Sequence, residues 1–145
     1  MNLFEFSTKD YCSEERLSAE FNKYFKNMIM LVDHDKFWDL LDNATIEDKM
    51  IAIDVGDNRD DYDNTSSNHE TYVRGYSSFD DITILKEFYR YLSKELNTEV
   101  AFNGFTEETS GLLYLFNEQQ KLYEALLEVN EDGKNIIIPI KELPS

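Results

Sequence analysis

Cysteine, histidine, glycine and proline are all scarce in this 145-residue chain, and positive charge is scarcer than its length would lead one to expect. The single cysteine, Cys12, has no partner for an internal disulfide, so nothing points to an oxidising compartment. The five glycines, at 56, 75, 104, 111 and 133, lack the spacing of a P-loop or a dinucleotide-binding turn, which excludes both phosphate cradles. The two histidines, His34 and His69, lie far apart, and there is no G-x-S-x-G elbow or local Cys/His signature for an activated nucleophile. Both read as surface or cap residues, and Cys12 as a small buried or half-buried one. Apolar runs are short, as at 28–32 and 112–116, whereas a membrane span needs about 20 such residues. The first ten residues hold one basic side chain, Lys9, and no apolar stretch of a secretory signal. The expectation is a soluble, cytoplasmic protein.

Acids, by contrast, are abundant: 30 Asp+Glu against 14 Lys+Arg leave a formal net charge of -16. Direct nucleic-acid binding needs a Lys/Arg surplus to neutralise phosphate, so this balance argues against it, and anionic lipid is disfavoured for the same reason. Aromatic residues make up 14% of the chain, with 10 Phe and 9 Tyr, which sets it apart from a disordered acidic tail. Its length suits one domain over residues 1–145.

Ser13 followed by Glu14 and Glu15 predicts a helix start, a hydroxyl cap with anions at the positive end of the dipole. Leu17, Phe21, Tyr24, Phe25 and Met28 continue it at helical spacing. A short helix over about 33–43 follows, burying Phe37, Trp38, and Leu40 or Leu41. Residues 49–55 alternate as a half-buried strand, and 71–76 form another. Between them, residues 56–70 are polar and turn-rich, a long acidic loop. Ser78 and Asp81 resemble a capping box opening the clearest helix, with Ile82, Leu85, Phe88, Tyr89, Leu92 and Leu96 on one face and Asn97 as its stop. Residues 98–103 read as a strand. An N-E-x-x-K pattern recurs at 117–121 and 130–134, and Asp132-Gly133 is a hairpin signal. If both are turns, 111–141 is a three-stranded meander. The competing reading is a helix over 118–129, which is rich in helix formers. Pro139 favours an edge position for the last strand. The fold class is thus α+β: two amino-terminal helices and a central helix on a mostly antiparallel sheet.

Asp57, Asp60, Asp61, Asp63, His69 and Glu70 are dense in the oxygen ligands a hard cation wants, but the calcium-loop spacing fails. With Asp61, Asp63 and Thr65 as the first ligands, Ser66 falls at the glycine position and Tyr72 at the bidentate acid. A two-metal nuclease built on Asp54 would have to hold nucleic acid against its own charge. No catalytic residue, metal or cofactor is therefore assigned, and a non-enzymatic role is expected.

The acids are also unevenly placed: residues 33–63 hold 11 of them against Lys36, Lys49 and Arg59. A folded chain of this mass exposes roughly 7,800 Å², so the average is about one net charge per 480 Å². Duplex DNA has roughly one per 107 Å². Only a concentrated face could approach that density. Asp35, Asp39 and Asp42 recur at i, i+4 and i+7 on one side of the short helix, a spacing at which like charges repel. Such repulsion is understandable in a face with an electropositive partner. The candidate contact set is Asp35, Asp39, Asp42, Glu47, Asp48, Asp57, Asp60, Asp61, Asp63 and Glu70, with Trp38, Tyr62, Tyr72 and Tyr76 as aromatic anchors.

In composition, though not in residue pattern, the chain resembles small acidic inhibitors that occupy the nucleic-acid groove of a basic protein. Phage anti-CRISPR and anti-restriction proteins are of this kind, as are immunity proteins that neutralise nuclease toxins. The resemblance implies a basic, nucleic-acid-binding effector or nuclease as partner. Two rivals belong to other classes: a small metal-dependent enzyme, with convergent carboxylates in a pocket, and an assembly protein, with a symmetric apolar interface.

Overall fold

The computed structural model describes residues 2–26, 29–31, 34–43, 51–60, 68–78 and 83–144. Along the chain run β1 (Asn2–Thr8), α1 (Glu14–Phe25), β2 (Ile29–Leu31), α2 (His34–Asn43), β3 (Ile51–Asp57) and β4 (Thr71–Ser77). They are followed by α3 (Ile84–Glu95), β5 (Val100–Asn103), β6 (Leu113–Phe116), β7 (Leu122–Val129) and β8 (Asn135–Glu142). The strands form one sheet in the order β2-β3-β4-β1-β5-β6-β7-β8. Every pairing is antiparallel except β2 with β3, which α2 connects. The α+β expectation holds, with a carboxy-terminal meander that also takes in β5.

No strand is expected from the sequence over residues 2–8, yet β1 lies at the centre of the sheet between β4 and β5. Its period is two: Phe4 and Phe6 turn into the core at 5% and 2% exposure, while Leu3 on the opposite face is 60% exposed.

α1 and α3 cover the face bearing Phe4 and Phe6. Ser13 caps α1 as expected, its Oγ accepting the Arg16 N–H at 3.1 Å. The helix stops at Lys26, whose backbone is left-handed with φ 56. Met28, expected to continue it, lies outside the described residues. The capping box expected at Ser78 and Asp81 runs into residues 79–82, which lie outside the described set. Thr83, itself in helical conformation, precedes Ile84 and provides no side-chain cap, while Asp81 and Ile82 fall outside the described residues. Leu85, Phe88, Tyr89 and Leu92 are all fully buried, each such side chain contributing about 1.5–3 kcal/mol. The chain leaves the helix through Asn97 at φ 50. Glu20 ties the two helices together: it receives Arg16 Nε at 3.2 Å and the Tyr91 hydroxyl at 2.6 Å, and Arg16 also donates to Glu95 O at 3.2 Å.

The recurring N-E-x-x-K segments are two copies of one turn. Asn117 Oδ1 accepts the N–H groups of Gln119 and Lys121, at 3.0 and 2.9 Å. Asn130 Oδ1 accepts those of Asp132 and Lys134, also at 3.0 and 2.9 Å. The fourth residue of each has positive φ, 63 at Gln120 and 79 at Gly133. With the chain reversed at both ends, 122–129 is strand and the helix alternative fails: its helix-forming side chains are overridden by cross-strand pairing.

The sheet is strongly coiled. Flat, it would hold β8 about 24 Å from β4, five strand spacings away. Instead Asn68, just before β4, bonds the outer edge of β8. Its N–H donates to Asn135 O at 3.1 Å, its side-chain oxygen accepts the Ile137 N–H at 2.8 Å, and its amide donates to Ile137 O at 3.3 Å. Pro139 sits on this edge strand, as expected, and a bulge interrupts the β7–β8 register beside it. Bonded side chain, missing donor and bulge together blunt a sheet edge that would otherwise recruit another strand.

The expected loop over 56–70 is shorter than read. β3 continues through Gly56 and Asp57, a single 3-10 turn spans Asn58–Asp60, and 61–67 lie outside the described residues. Residues 68–70 pack against the sheet, with Glu70 N–H donating to Lys9 O at 3.0 Å. His69 is fully buried, which corrects its reading as a surface or cap residue. The side chain of His34 lies outside the described set.

Candidate functional site

α2 packs on the face of the sheet opposite α1 and α3. Phe37, 1% exposed, is its anchor. The ring meets Tyr76 at 5.0 Å, and the buried Tyr76 hydroxyl donates to Phe37 O at 3.2 Å. Pinned by that side, the helix presents the opposite one to solvent. Asp35, Asp39 and Asp42 are all exposed. Trp38, expected to be buried with Phe37, is 37% exposed and falls among the three acids on the same stripe. The side chains of Leu40 and Leu41 lie outside the described set.

Beside α2 opens a cleft of about 520 Å³. α2 contributes Phe37 and Trp38 to its lining, β1 and β4 contribute Glu5 and Arg74, and the segment after β5 contributes Gly104 and Phe105. The Arg74 guanidinium lies over the rings of Trp38, at 5.5 Å, and Tyr72, at 5.4 Å. In register it stands between two acids, Glu5 and Asp54. Burial first, then the hydrogen bond with Glu5, pushes the half-buried Tyr72 phenol up, so it remains a proton donor. The segment after β5 is tied by two of its own threonines. Thr106 and Thr109 exchange backbone-to-hydroxyl bonds at 3.2 and 3.1 Å, with their Oγ1 atoms 2.7 Å apart. It carries Glu107 and Glu108, both exposed, and its Gly104, Phe105 and Ser110 line the cleft. No local pattern marks this segment, because only the sheet brings Gly104, Phe105 and Ser110 into one cleft with Phe37 and Trp38.

The other expected contact residues are elsewhere. Asp57 stands at the far end of β3, about 17 Å of strand from Ala52, which pairs with Tyr76 beneath α2. It is already paired, receiving Arg59 Nε at 3.0 Å and Nη2 at 2.8 Å. This bidentate hydrogen bond holds the Asp57 carboxyl below its ordinary range. Arg59 in turn stacks 3.4 Å over the Tyr11 ring. Glu70 is half-buried at the same corner. Glu47, Asp48, Tyr62, Asp61 and Asp63 lie outside the described residues, as does the side chain of Asp60. Among the described residues no three His, Cys, Asp or Glu side chains are close enough together to hold a metal ion, and His69 is fully buried.

A second cleft, of about 410 Å³, lies on the same sheet face under the β7–β8 hairpin. Ser7 lines it, and behind Ser7 stands His69, with the Ser7 Oγ and His69 Nδ1 atoms 2.9 Å apart. His69 Nε2 faces Glu99 Oε1 at 3.8 Å. No local motif could have revealed this juxtaposition, since its members are separated by 62 and 30 positions.

Compared with protein-family models, with curated proteins and with solved structures, the chain matches none. Among the described residues no helix is long and apolar enough to cross a membrane.

Proposed function

We infer that this protein is an inhibitor that binds the basic, nucleic-acid-binding surface of a partner protein through the acidic face of α2. The observation that carries the reading is the exposed row Asp35, Asp39 and Asp42 with Trp38 in its midst. Spread over the 8456 Å² surface, 16 net charges give about one per 530 Å², five times sparser than duplex DNA at roughly one per 107 Å². Along α2 the spacing is different. Three carboxylates spanning seven steps of 1.5 Å rise lie about 5 Å apart, a linear density about two-thirds that of the phosphates on one DNA strand, which are about 3.4 Å apart. Trp38 supplies the aromatic contact that charge alone lacks. The chemistry is that of a DNA mimic of the anti-CRISPR or anti-restriction type, or of an immunity protein against a nuclease toxin, acting in the cytoplasm. Such a field speeds encounter and selects partners more than it deepens affinity.

The test is capture of partners from a native lysate at low and at high salt, with wild type and with an Asp35→Lys, Asp39→Lys, Asp42→Lys variant. The captured protein is then assayed for release of a labelled DNA duplex. The expected result is a basic DNA-binding protein that wild type retains at low salt, releases at high salt and displaces from DNA, and that the variant does not hold. A partner kept equally by the variant and at high salt would overturn the reading.

A further inference from the structure

Ser7, His69 and Glu99 stand in the order nucleophile, base, carboxylate. Ser7 is on the central strand β1, flanked in register by Tyr72 and Ala101. His69 is delivered by the strap of residues 68–70, which Asn68 fastens to β8 and Glu70 fastens to Lys9. Glu99 precedes β5, held by its carbonyl accepting the Lys9 N–H at 3.0 Å. The three therefore sit on a rigid frame.

Their chemistry fixes the proton positions. The Glu99 carboxylate can only accept, so the imidazole hydrogen belongs on Nε2, facing it. Nδ1 is then the acceptor, and the Ser7 hydroxyl 2.9 Å away is its donor. This is the tautomer in which an imidazole acts as general base toward a hydroxyl. The proximity of the imidazole N–H, acting against burial, holds the Glu99 carboxyl below its ordinary range, so it remains an anion beside the ring. The His69–Glu99 approach of 3.8 Å is longer than a direct hydrogen bond, a looseness common in unliganded sites.

The surroundings suit an acyl group. The cleft in front of Ser7 has an apolar side of Ala101, Leu113, Leu127 and Ile137 and a polar side that includes Glu5, Asn58 and Asn103. Each amide nitrogen makes one bond, Asn58 to His69 O at 3.0 Å and Asn103 to Leu112 O at 3.3 Å. That leaves each a second hydrogen to offer a developing oxyanion.

We propose that Ser7 is an activated nucleophile that cleaves small carboxylic esters with apolar acyl chains, with His69 as general base and Glu99 positioning it. Ser7 Oγ attacks the ester carbonyl while its proton passes to His69 Nδ1. The tetrahedral adduct collapses by breaking the bond to the alkoxide, which leaves as the alcohol with the proton from Nδ1. Water, deprotonated by the same nitrogen, then attacks the acyl-serine and releases the carboxylic acid, returning the hydroxyl to Ser7. The activity is independent of the acidic stripe, whose side chains take no part in it.

The test treats the full chain with a fluorophosphonate probe and, separately, with p-nitrophenyl butyrate, locating adducts by intact mass and peptide mapping. One adduct on Ser7 is expected, lost in Ser7→Ala and slowed about a hundredfold in His69→Gln. Ester turnover is expected to follow the same order, and Glu99→Gln to slow labelling and move its pH profile. If His69→Gln fails to fold, Ser7→Ala and Glu99→Gln decide. Absence of a Ser7 adduct in folded wild type, or ester turnover unchanged in a Ser7→Ala variant with wild-type melting, overturns the proposal. Neither result bears on partner capture, which Ser7→Ala leaves intact.

Discussion

A missing methyl group shapes the middle of β4. A Cβ built on Gly75 would lie 2.4 Å from the Phe4 ring and 2.7 Å from Ala52 O. Phe4 thus occupies the space that any other residue there would need. Gly75→Ala is expected to destabilise the fold by about 1–3 kcal/mol, as overpacking does, measured by urea unfolding. Adding Phe4→Leu should recover part of the loss, and strict additivity of the two changes would contradict the packing account. Cys12 shows a different consequence of burial. Removal from water pushes its thiol from the ordinary 9.0 up to about 11, so at neutral pH its thiolate is about a hundredfold rarer than that of a free cysteine. Between those two values the folded chain keeps a proton that the unfolded chain loses, and raising the pH therefore favours unfolding. Folding stability should fall more steeply between about pH 8.5 and 10 in wild type than in Cys12→Ser, by denaturant titration at each pH, while above about pH 10 the tyrosines raised by burial, Tyr72 among them, lower both alike.

Secondary elements were legible where their cause is local. The Ser13 cap, the stripe of α3 and the twin asparagine turns are written within a few neighbouring residues. The choice of strand over helix at 122–129 followed from the turns at its ends rather than from its own composition. The Ser78-x-x-Asp81 pattern runs into residues outside the described set, and the inward turn of His69 gives no local sign at all. Asn68 shows why such contacts matter: it performs the work of a neighbouring strand on the edge of β8. Asn68→Ala removes two side-chain bonds, and a loss of about 1–3 kcal/mol is expected. It also bares the Ile137 N–H and C=O, so the variant should self-associate more than wild type with rising concentration, read by light scattering. A variant matching wild type in both respects would show that Pro139 and the bulge protect the edge without it.

For the molecule as a whole, charge on α2 opposes stability. Asp42 stands near the carboxy-terminal end of α2, where the helix dipole is negative and an anion is unfavourable. Asp42→Asn is expected to raise stability by about 0.3–1 kcal/mol while weakening capture of the basic partner. A variant that lost stability would mean that Asp42 serves the fold and not a contact. What the chain order alone determined is its charge, its periodicities and its turns, because these depend on residue type and on neighbours within about one helical turn. Tertiary structure decided which acids share a surface: it left those of α2 exposed around Trp38 and gave Asp57 to Arg59. It also decided that Ser7, His69 and Glu99 meet, and that β1 lies at the centre. Those outcomes depend on strand order and on the coiling of an eight-stranded sheet, and both are set by the burial of many distant side chains at once rather than by any one segment.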